Sequence, residues 1–204
     1  IKTVTDLFFA HPISLDLLRA FLRVLLMDCI YKTNRYCLPL LEIVGVTSTE
    51  KTFSVGFAYR QYEREDNYAW ALGILRSLMD ENSLPNVIVS DRELSLMNAI
   101  ATIFPYATSL LCRWHINKNV LAKCKKLFEK KEKWDMFITS WNMLVMSSSE
   151  EMYMQRLILL QNEFAFYAKA FQYVTTSWLD TYKKRFVVAW TDTCVRLGNS
   201  TTNR

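Results

Sequence analysis

Glycine and proline are scarce, with four of each in 204 residues, where an average chain carries about 12% of the two together. Collagen-like, linker-like and loop-stapled architectures are therefore excluded. No apolar run approaches the ~20 residues that span a bilayer; the longest resemble Leu157-Ile158-Leu159-Leu160. No secretory signal is visible, and there is no internal repeat or low-complexity tract. The five cysteines (Cys29, Cys37, Cys112, Cys124, Cys194) are odd in number and include no Cys-x-x-Cys pair. That pattern fits neither a disulfide framework nor a four-cysteine zinc site, and reads as reduced thiols in a cytosolic or nuclear protein. Glutamate is missing from residues 164–204, where Asp180 and Asp192 are the only acids. The chain starts at Ile1 rather than Met and stops in polar Asn199–Arg204, so it reads as a piece of a longer protein.

What is present suits a globular domain with an elaboration. The chain is 51% hydrophobic and 14% aromatic, enough for a sizeable core. The net charge of +5 is unevenly spread: residues 1–110 carry ten Lys/Arg against twelve Asp/Glu, and residues 111–204 carry fifteen against eight. An acidic half joined to a basic half suggests a metal or cationic site beside a surface for a polyanion.

Along the chain, Ser14 is placed to cap a short helix with Leu15, Leu18 and Leu22 on its apolar side. Val24-Leu25-Leu26-Met27 reads as a buried strand with Asp28 immediately after it. Leu38–Thr47 and Phe53–Tyr62 read as two further strands, antiparallel because the link between them is short and polar. Asp66 is placed to cap a helix carrying Tyr68, Ala71, Leu72, Leu75, Leu78 and Met79. Val87-Ile88-Val89 is a short strand ending in Ser90-Asp91, followed by a helix through Leu94, Met97, Ala101 and Phe104. Ala107–Cys112 is a fifth strand, and from Arg113 the pattern is helical. Ser148 with Glu151 fits a capping box for a later helix. The order predicts a mixed five-stranded α/β sheet flanked by helices, with an all-helical insertion after the fifth strand. The expected organisation is a helical lead-in over 1–23, a catalytic core over 24–128 and the helical insertion over 129–204.

Asp28 and Asp91 each stand at the carboxyl end of a hydrophobic strand, the edge where open α/β sheets bind ligands. If those strands are neighbours, the carboxylates converge. Two converging carboxylates on a rigid sheet suit Mg²⁺, which takes few protein ligands and leaves room for substrate phosphate. The alternative is structural: Ser90-x-x-Glu93 is itself a capping box that would put Asp91 in a first helical turn, and Asp28 would be the polar residue where a strand leaves the core. Local spacing leaves both open. Cys112 and His115 sit three apart. Structural zinc is disfavoured, since no second pair lies nearby; a Cys-His nucleophile and a buried cysteine beside a hydrogen-bonded histidine both fit. From Arg113 to Lys133 there are eight basic residues (Arg113, Lys118, Lys123, Lys125, Lys126, Lys130, Lys131, Lys133) against two glutamates, with Trp114, Trp134 and Trp141 interspersed in or near them. Lys183-Lys184-Arg185 is a second cluster. These read either as solvated faces or as phosphate-neutralising surfaces for DNA.

Taken together, Asp28-Cys29-Ile30-Tyr31-Lys32-Thr33-Asn34-Arg35-Tyr36, then Pro39-Leu40-Leu41 and Val44-Gly45, resemble the opening of the Mutator-like element (MULE) transposase domain. Val89-Ser90-Asp91 with the Ala99–Phe104 helix resembles its second block, and Cys112-Arg113-Trp114-His115 resembles its C/D-x-x-H motif. The resemblance runs from about Phe8 to Arg204. It implies an RNase H-like fold with a helical insertion between the second and third catalytic acids. It also implies DDE chemistry, in which Mg²⁺ or Mn²⁺ activates water and then a DNA 3′-hydroxyl for cut-and-paste transposition. On that resemblance Asp28 and Asp91 are the first two metal-binding acids, and Cys112 and His115 are the motif pair beside the site, His115 the better placed to touch DNA. The expected DNA contacts are Arg113, Lys118, Lys123, Lys125, Lys126, Lys183, Lys184 and Arg185. The family completes its triad with a glutamate after a segment that Thr201-Thr202-Asn203-Arg204 resembles, which implies a third acid just beyond Arg204. The implied partners are transposon terminal inverted repeats and target DNA, with a homo-oligomer on DNA, a nuclear location, no membrane and no small-molecule substrate. End recognition is expected of a separate zinc-containing domain. Two other readings compete: a domesticated, non-enzymatic DNA-binding transcriptional regulator, as in far-red-impaired relatives, and an RNase H-like nuclease acting on RNA or Holliday junctions.

Overall fold

A computed structural model describes residues 4–30, 34–80 and 84–192. Cys194, the Thr201–Arg204 segment and Tyr31-Lys32-Thr33 lie outside the described residues. The chain divides into two compact units, which part between Cys112 and Arg113.

The first unit is built on a six-stranded mixed sheet in the order β1-β4-β3-β2-β5-β6. The strands are β1 Leu7–Phe9, β2 Val24–Ile30, β3 Leu40–Val46, β4 Thr52–Tyr59, β5 Val87–Ser90 and β6 Thr108–Leu111. The β1–β4, β3–β4 and β2–β3 pairs are antiparallel, and the β2–β5 and β5–β6 pairs are parallel. The expected five strands are therefore six. The added strand, β1, is only three residues long and shows no usable alternation; tertiary pairing creates it, with Phe9 stacked on Phe57 at 5.2 Å between ring centroids. The β3–β4 connection is short and polar as expected. Thr47 closes it by accepting the Lys51 amide at its Oγ1 (3.1 Å), and Glu50 takes a left-handed φ of 61°.

Three helices pack on this sheet: α1 Pro12–Ala20, α2 Glu65–Ser77 and α3 Leu94–Ile103. Alternation along the strands sends Leu25, Met27, Cys29, Leu41, Ile43 and Ile88 to one face. There they join Leu18, Tyr68, Ala71, Leu72, Leu75, Leu96, Ala99 and Ile100 in one buried cluster. Val24, Leu26, Val44, Val87, Val89 and Leu110 occupy the opposite face and are buried too. Burial on both faces explains why β2 and β5 read as unbroken apolar runs.

Helix ends depart from the sequence reading. α1 starts at Pro12, not after Ser14, and its cap is His11, whose Nδ1 accepts the Ile13 amide at 3.2 Å. α2 follows Arg64 and holds Asp66 inside its first turn. α3 begins after Glu93, which caps it by accepting the Ser95 amide at 3.2 Å. Its buried side is therefore Leu96, Met97, Ala99 and Ile100, and Leu94 is exposed.

The second unit is helical throughout its described residues: α4 Arg113–Cys124, α5 Lys131–Val145, α6 Glu150–Glu163, α7 Ala168–Val174, α8 Asp180–Tyr182 and α9 Val188–Thr191. Its core is aromatic. Phe128 lies 4.2 Å from Tyr167, 5.1 Å from Phe137 and 5.6 Å from Trp134, centroid to centroid. The cap of α6 is Ser149, one residue after the expected Ser148, and its hydroxyl accepts the Met152 amide at 3.2 Å.

Candidate functional site

Register assembles the acidic edge of the first unit. β2 and β5 run parallel, and their last paired residues are Met27 and Ser90. The next residues along the two strands are Asp28 and Asp91, which therefore stand abreast. β5 and β6 are also parallel, with Ser90 opposite Leu111, and the Cys112 amide donates to the Ser90 carbonyl at 2.8 Å. Cys112 consequently continues the row, one strand beyond Asp91. With strands about 4.8 Å apart, Asp28, Asp91 and Cys112 form a line across the carboxyl edge. Asp28 and Asp91 are half-buried and Cys112 is buried.

Two details differ from the sequence reading. Asp28 lies inside β2, which continues to Ile30, rather than after its end. Asp91 is not in a first helical turn, because α3 starts three residues later at Leu94. The cap considered at Ser90 belongs instead to Glu93. Ser90 shapes the turn by donating its hydroxyl to the Asp91 carbonyl at 2.9 Å.

Glu42 is the acid that sequence reasoning missed. It pairs directly with Asp28 across the β2–β3 ladder, so their side chains share a face of the sheet, and it is only 2% exposed. Ser54 donates its hydroxyl to Glu42 at 3.4 Å. A glutamate in the run Leu40–Val46, otherwise apolar apart from Gly45, is itself a signal, since Glu is almost never fully buried without a reason.

Beneath the row, on the helix-packed face, lies a small polar group. The Cys29 sulfur is 3.1 Å from the Tyr68 hydroxyl and accepts from Arg60 at 3.9 Å. The Arg60 guanidinium sits 3.8 Å over the Tyr68 ring and is fully buried. Burial pushes the Cys29 thiol up to about 12, and the charge of Asp91 adds to that. Cys29 is thus an inert neutral thiol that nonetheless feels the acidic row.

Among the described residues no three His, Cys, Asp or Glu side chains converge in metal-binding geometry. The donor chemistry of the edge still suits a hard cation, since Mg²⁺ characteristically uses one or two carboxylates and keeps water and phosphate as its other ligands.

His115 lies in the first turn of α4, in the second unit, so the Cys-x-x-His motif spans the division between the units. It is half-buried, with the Trp114 ring edge-on at 4.7 Å. Arg113 donates to the Met146 sulfur at 2.7 Å. Lys118, Lys123, Lys125, Lys126 and Lys184 are exposed and make no ion pair among the described residues. Lys183 is half-buried, with its ammonium 5.7 Å from the rings of both Tyr153 and Trp190. Arg185 is half-buried at the end of the same turn. Of the three interspersed tryptophans, Trp134 and Trp141 belong to the core at 6% and 0% exposure, whereas Trp114 is 37% exposed. The described residues contain no helix long and apolar enough to cross a membrane.

With this geometry in hand, the chain can be set beside known proteins. Residues 24–119 match the MULE transposase domain. A 107-residue stretch is 32% identical to the PKS-NRPS hybrid synthetase cheA of Chaetomium globosum, covering 52% of this chain and 2% of that protein. The Protein FAR1-RELATED SEQUENCE 5 of Arabidopsis thaliana is 28% identical over 129 residues, 63% of this chain and 16% of the relative. The Protein FAR-RED IMPAIRED RESPONSE 1 of the same plant is 24% identical over 119 residues, 58% and 14% respectively. The matched stretch thus spans less than a fifth of each relative's length. The family match begins at the first residue of β2 and ends within α4, enclosing Asp28, Asp91, Cys112 and His115. From β2 into α4, this chain is similar to the MULE transposase domain.

Proposed function

We propose that this chain supplies the catalytic core of a cut-and-paste DNA transposase, with an RNase H-like sheet as its platform. The observation that carries the reading is the parallel β2–β5 register, which sets Asp28 and Asp91 side by side at the carboxyl edge. In this reading the two carboxylates hold Mg²⁺ or Mn²⁺, which when bound supplies water activation and stabilisation of the leaving oxygen in phosphodiester chemistry. Asp28 is positioned by the β2 ladder and Asp91 by the turn that Ser90 braces. Cys112 packs as a small buried group at the end of the row. His115, at the start of the basic helix, contacts DNA. Lys118, Lys123, Lys125, Lys126, Lys184 and Arg185 neutralise phosphates of the terminal inverted repeats and target DNA. The protein acts in the nucleus and assembles as a homo-oligomer on DNA.

Binding of Mn²⁺, followed by calorimetry or electron paramagnetic resonance, tests the metal assignment. The Asp28→Asn and Asp91→Asn variants should each weaken it at least tenfold. Unchanged affinity in both would remove the basis of the reading.

A second reading has an observation in its favour: the plant relatives include a protein named for a far-red response. It makes this chain a domesticated, DNA-binding transcriptional regulator without cleavage activity. Incubation of the full parent protein with terminal-inverted-repeat DNA and Mn²⁺ separates the two. Strand nicking at the repeat end supports the transposase, and binding without nicking supports the regulator.

A further inference from the structure

Trp114 is the one large aromatic that the basic helix leaves in solvent, and a groove lies along it. The groove has a volume of about 420 Å³ and is lined by Trp114, Asn117, Lys118, Leu121, Trp134 and Ile138 of α4 and α5. Its floor is rigid. Trp134 packs edge-on against Phe128 at 5.6 Å, and Asn117 accepts from the Trp141 indole at 2.9 Å while donating to Asn142 at 3.2 Å. Because its amide is engaged on both sides, Asn117 holds α4 against α5 rather than reading a ligand. The Lys118 ammonium rests over the Trp114 ring at 4.8 Å. A cation at that position can swing to a phosphate when something flat takes its place on the indole.

We propose that this groove receives an unpaired nucleobase of a DNA strand, stacked on Trp114, with Lys118 on the adjoining phosphate. The occupant follows from charge complementarity. Residues 113–133 carry eight basic residues against two acidic ones, and Lys118, Lys123, Lys125 and Lys126 are exposed. A polyanion is therefore drawn to this helix, and among polyanions only a strand with unstacked bases also uses an exposed indole and an apolar groove. An apolar peptide would use the groove but not the charge, and a paired duplex would use the charge but not the groove. The inference rests on the DNA reading proposed above and deepens it, since it assigns the basic helix to single-stranded or distorted DNA.

The test is binding of the intact chain to a fluorescein-labelled oligothymidine 12-mer, and separately to a blunt duplex, across a salt series in EDTA. Leaving out metal keeps the outcome independent of Asp28 and Asp91, so the metal assignment and this one fail separately. Trp114→Ala should weaken the oligothymidine complex about tenfold and leave the duplex complex and its salt dependence unchanged, while Trp114→Phe retains most of the affinity. Lys118→Glu should weaken both complexes and lower the magnitude of the salt slope by about one or more. Thermal unfolding of each variant verifies the fold; the exposed position of Trp114 makes its truncation mild. The proposal is overturned if Trp114→Ala binds oligothymidine like the parent, or if it loses single-stranded and duplex DNA in equal measure.

Discussion

Replacing Asp91 by asparagine removes one of two carboxylates that the register carries on adjacent strands, whose backbones lie about 4.8 Å apart. At an effective dielectric constant of about 20, two unit charges at that distance repel by about 3.5 kcal/mol. Both groups are half-buried, so solvent screening reduces the effective term to about 1–2 kcal/mol. In EDTA, Asp91→Asn should therefore be more stable than the parent by about 1 kcal/mol, a rise in Tm of about 2–4 °C for a chain of this size. In Mn²⁺ the order should invert, because the cation stabilises the parent and has little hold on the variant. Differential scanning fluorimetry, with and without the metal, reads both halves of the crossover. If Asp91→Asn destabilises the metal-free protein and both forms gain the same Tm increment from Mn²⁺, the two aspartates are not a pair held together against their charge.

Two further outcomes follow from the buried polar group beneath the row. Folding raises the Cys29 thiol from an ordinary 9.0 to about 12, mainly by burial and then by the charge of Asp91. Burial alone raises Cys124 to about 11. A group whose folded value is raised contributes stability that is full below the unfolded value and is lost as pH climbs to the folded one. Urea midpoints should accordingly hold steady up to about pH 9 and fall between about 9 and 12, and Cys29→Ala should flatten that fall. Arg60 offers a separate check. It is fully buried, and its Nε and Nη1 donors find no partner among the described residues. Replacement of such a charge by an apolar side chain of similar length is often neutral or stabilising, so Arg60→Met should change the urea midpoint little or raise it. A loss of more than about 3 kcal/mol would show that the stack on Tyr68 outweighs the cost of burying the charge.

The sequence made the central strands legible because β2 and β5 are buried on both faces and leave no polar residue until their functional end. The helices were legible as elements but not at their first residues, since several side chains compete to cap. Ser14, Asp66 and Ser148 were plausible caps, yet His11, Arg64 and Ser149 occupy those positions. A three-residue change in where α3 begins is local, but it decided the meaning of Asp91. A start at Ser90 would have made it a dipole partner, whereas the start after Glu93 leaves it on the sheet edge. β1 was not legible, because three residues carry too little periodicity and the strand exists only through its partner β4. The tryptophans were legible as residues flanking a basic stretch but not as to exposure. Only the packing of α4 on α5 separates Trp114 from Trp134 and Trp141.

Glu42 escaped notice for a reason that also explains how the row is held. In a strand the side chains alternate, so a slip of one residue between β2 and its neighbours would carry Asp28 to the helix-packed face and Cys29 to the other. What prevents the slip is the core itself: Leu25, Met27 and Cys29 are committed to the cluster with Tyr68, Leu72 and Leu75. The ladder on the other side is no less constrained, running six residues from Leu25↔Gly45 to Ile30↔Leu40. Gly45 has room only for hydrogen, as a Cβ there would lie 2.3 Å from the Phe53 ring. The acidic row thus takes its precision from apolar packing on the reverse side of the same strands. Within a strand that alternates so strictly, the two acids opposite one another, Asp28 and Glu42, can only be understood together. Read along the chain they lie fourteen residues apart, and only the β2–β3 register makes them neighbours.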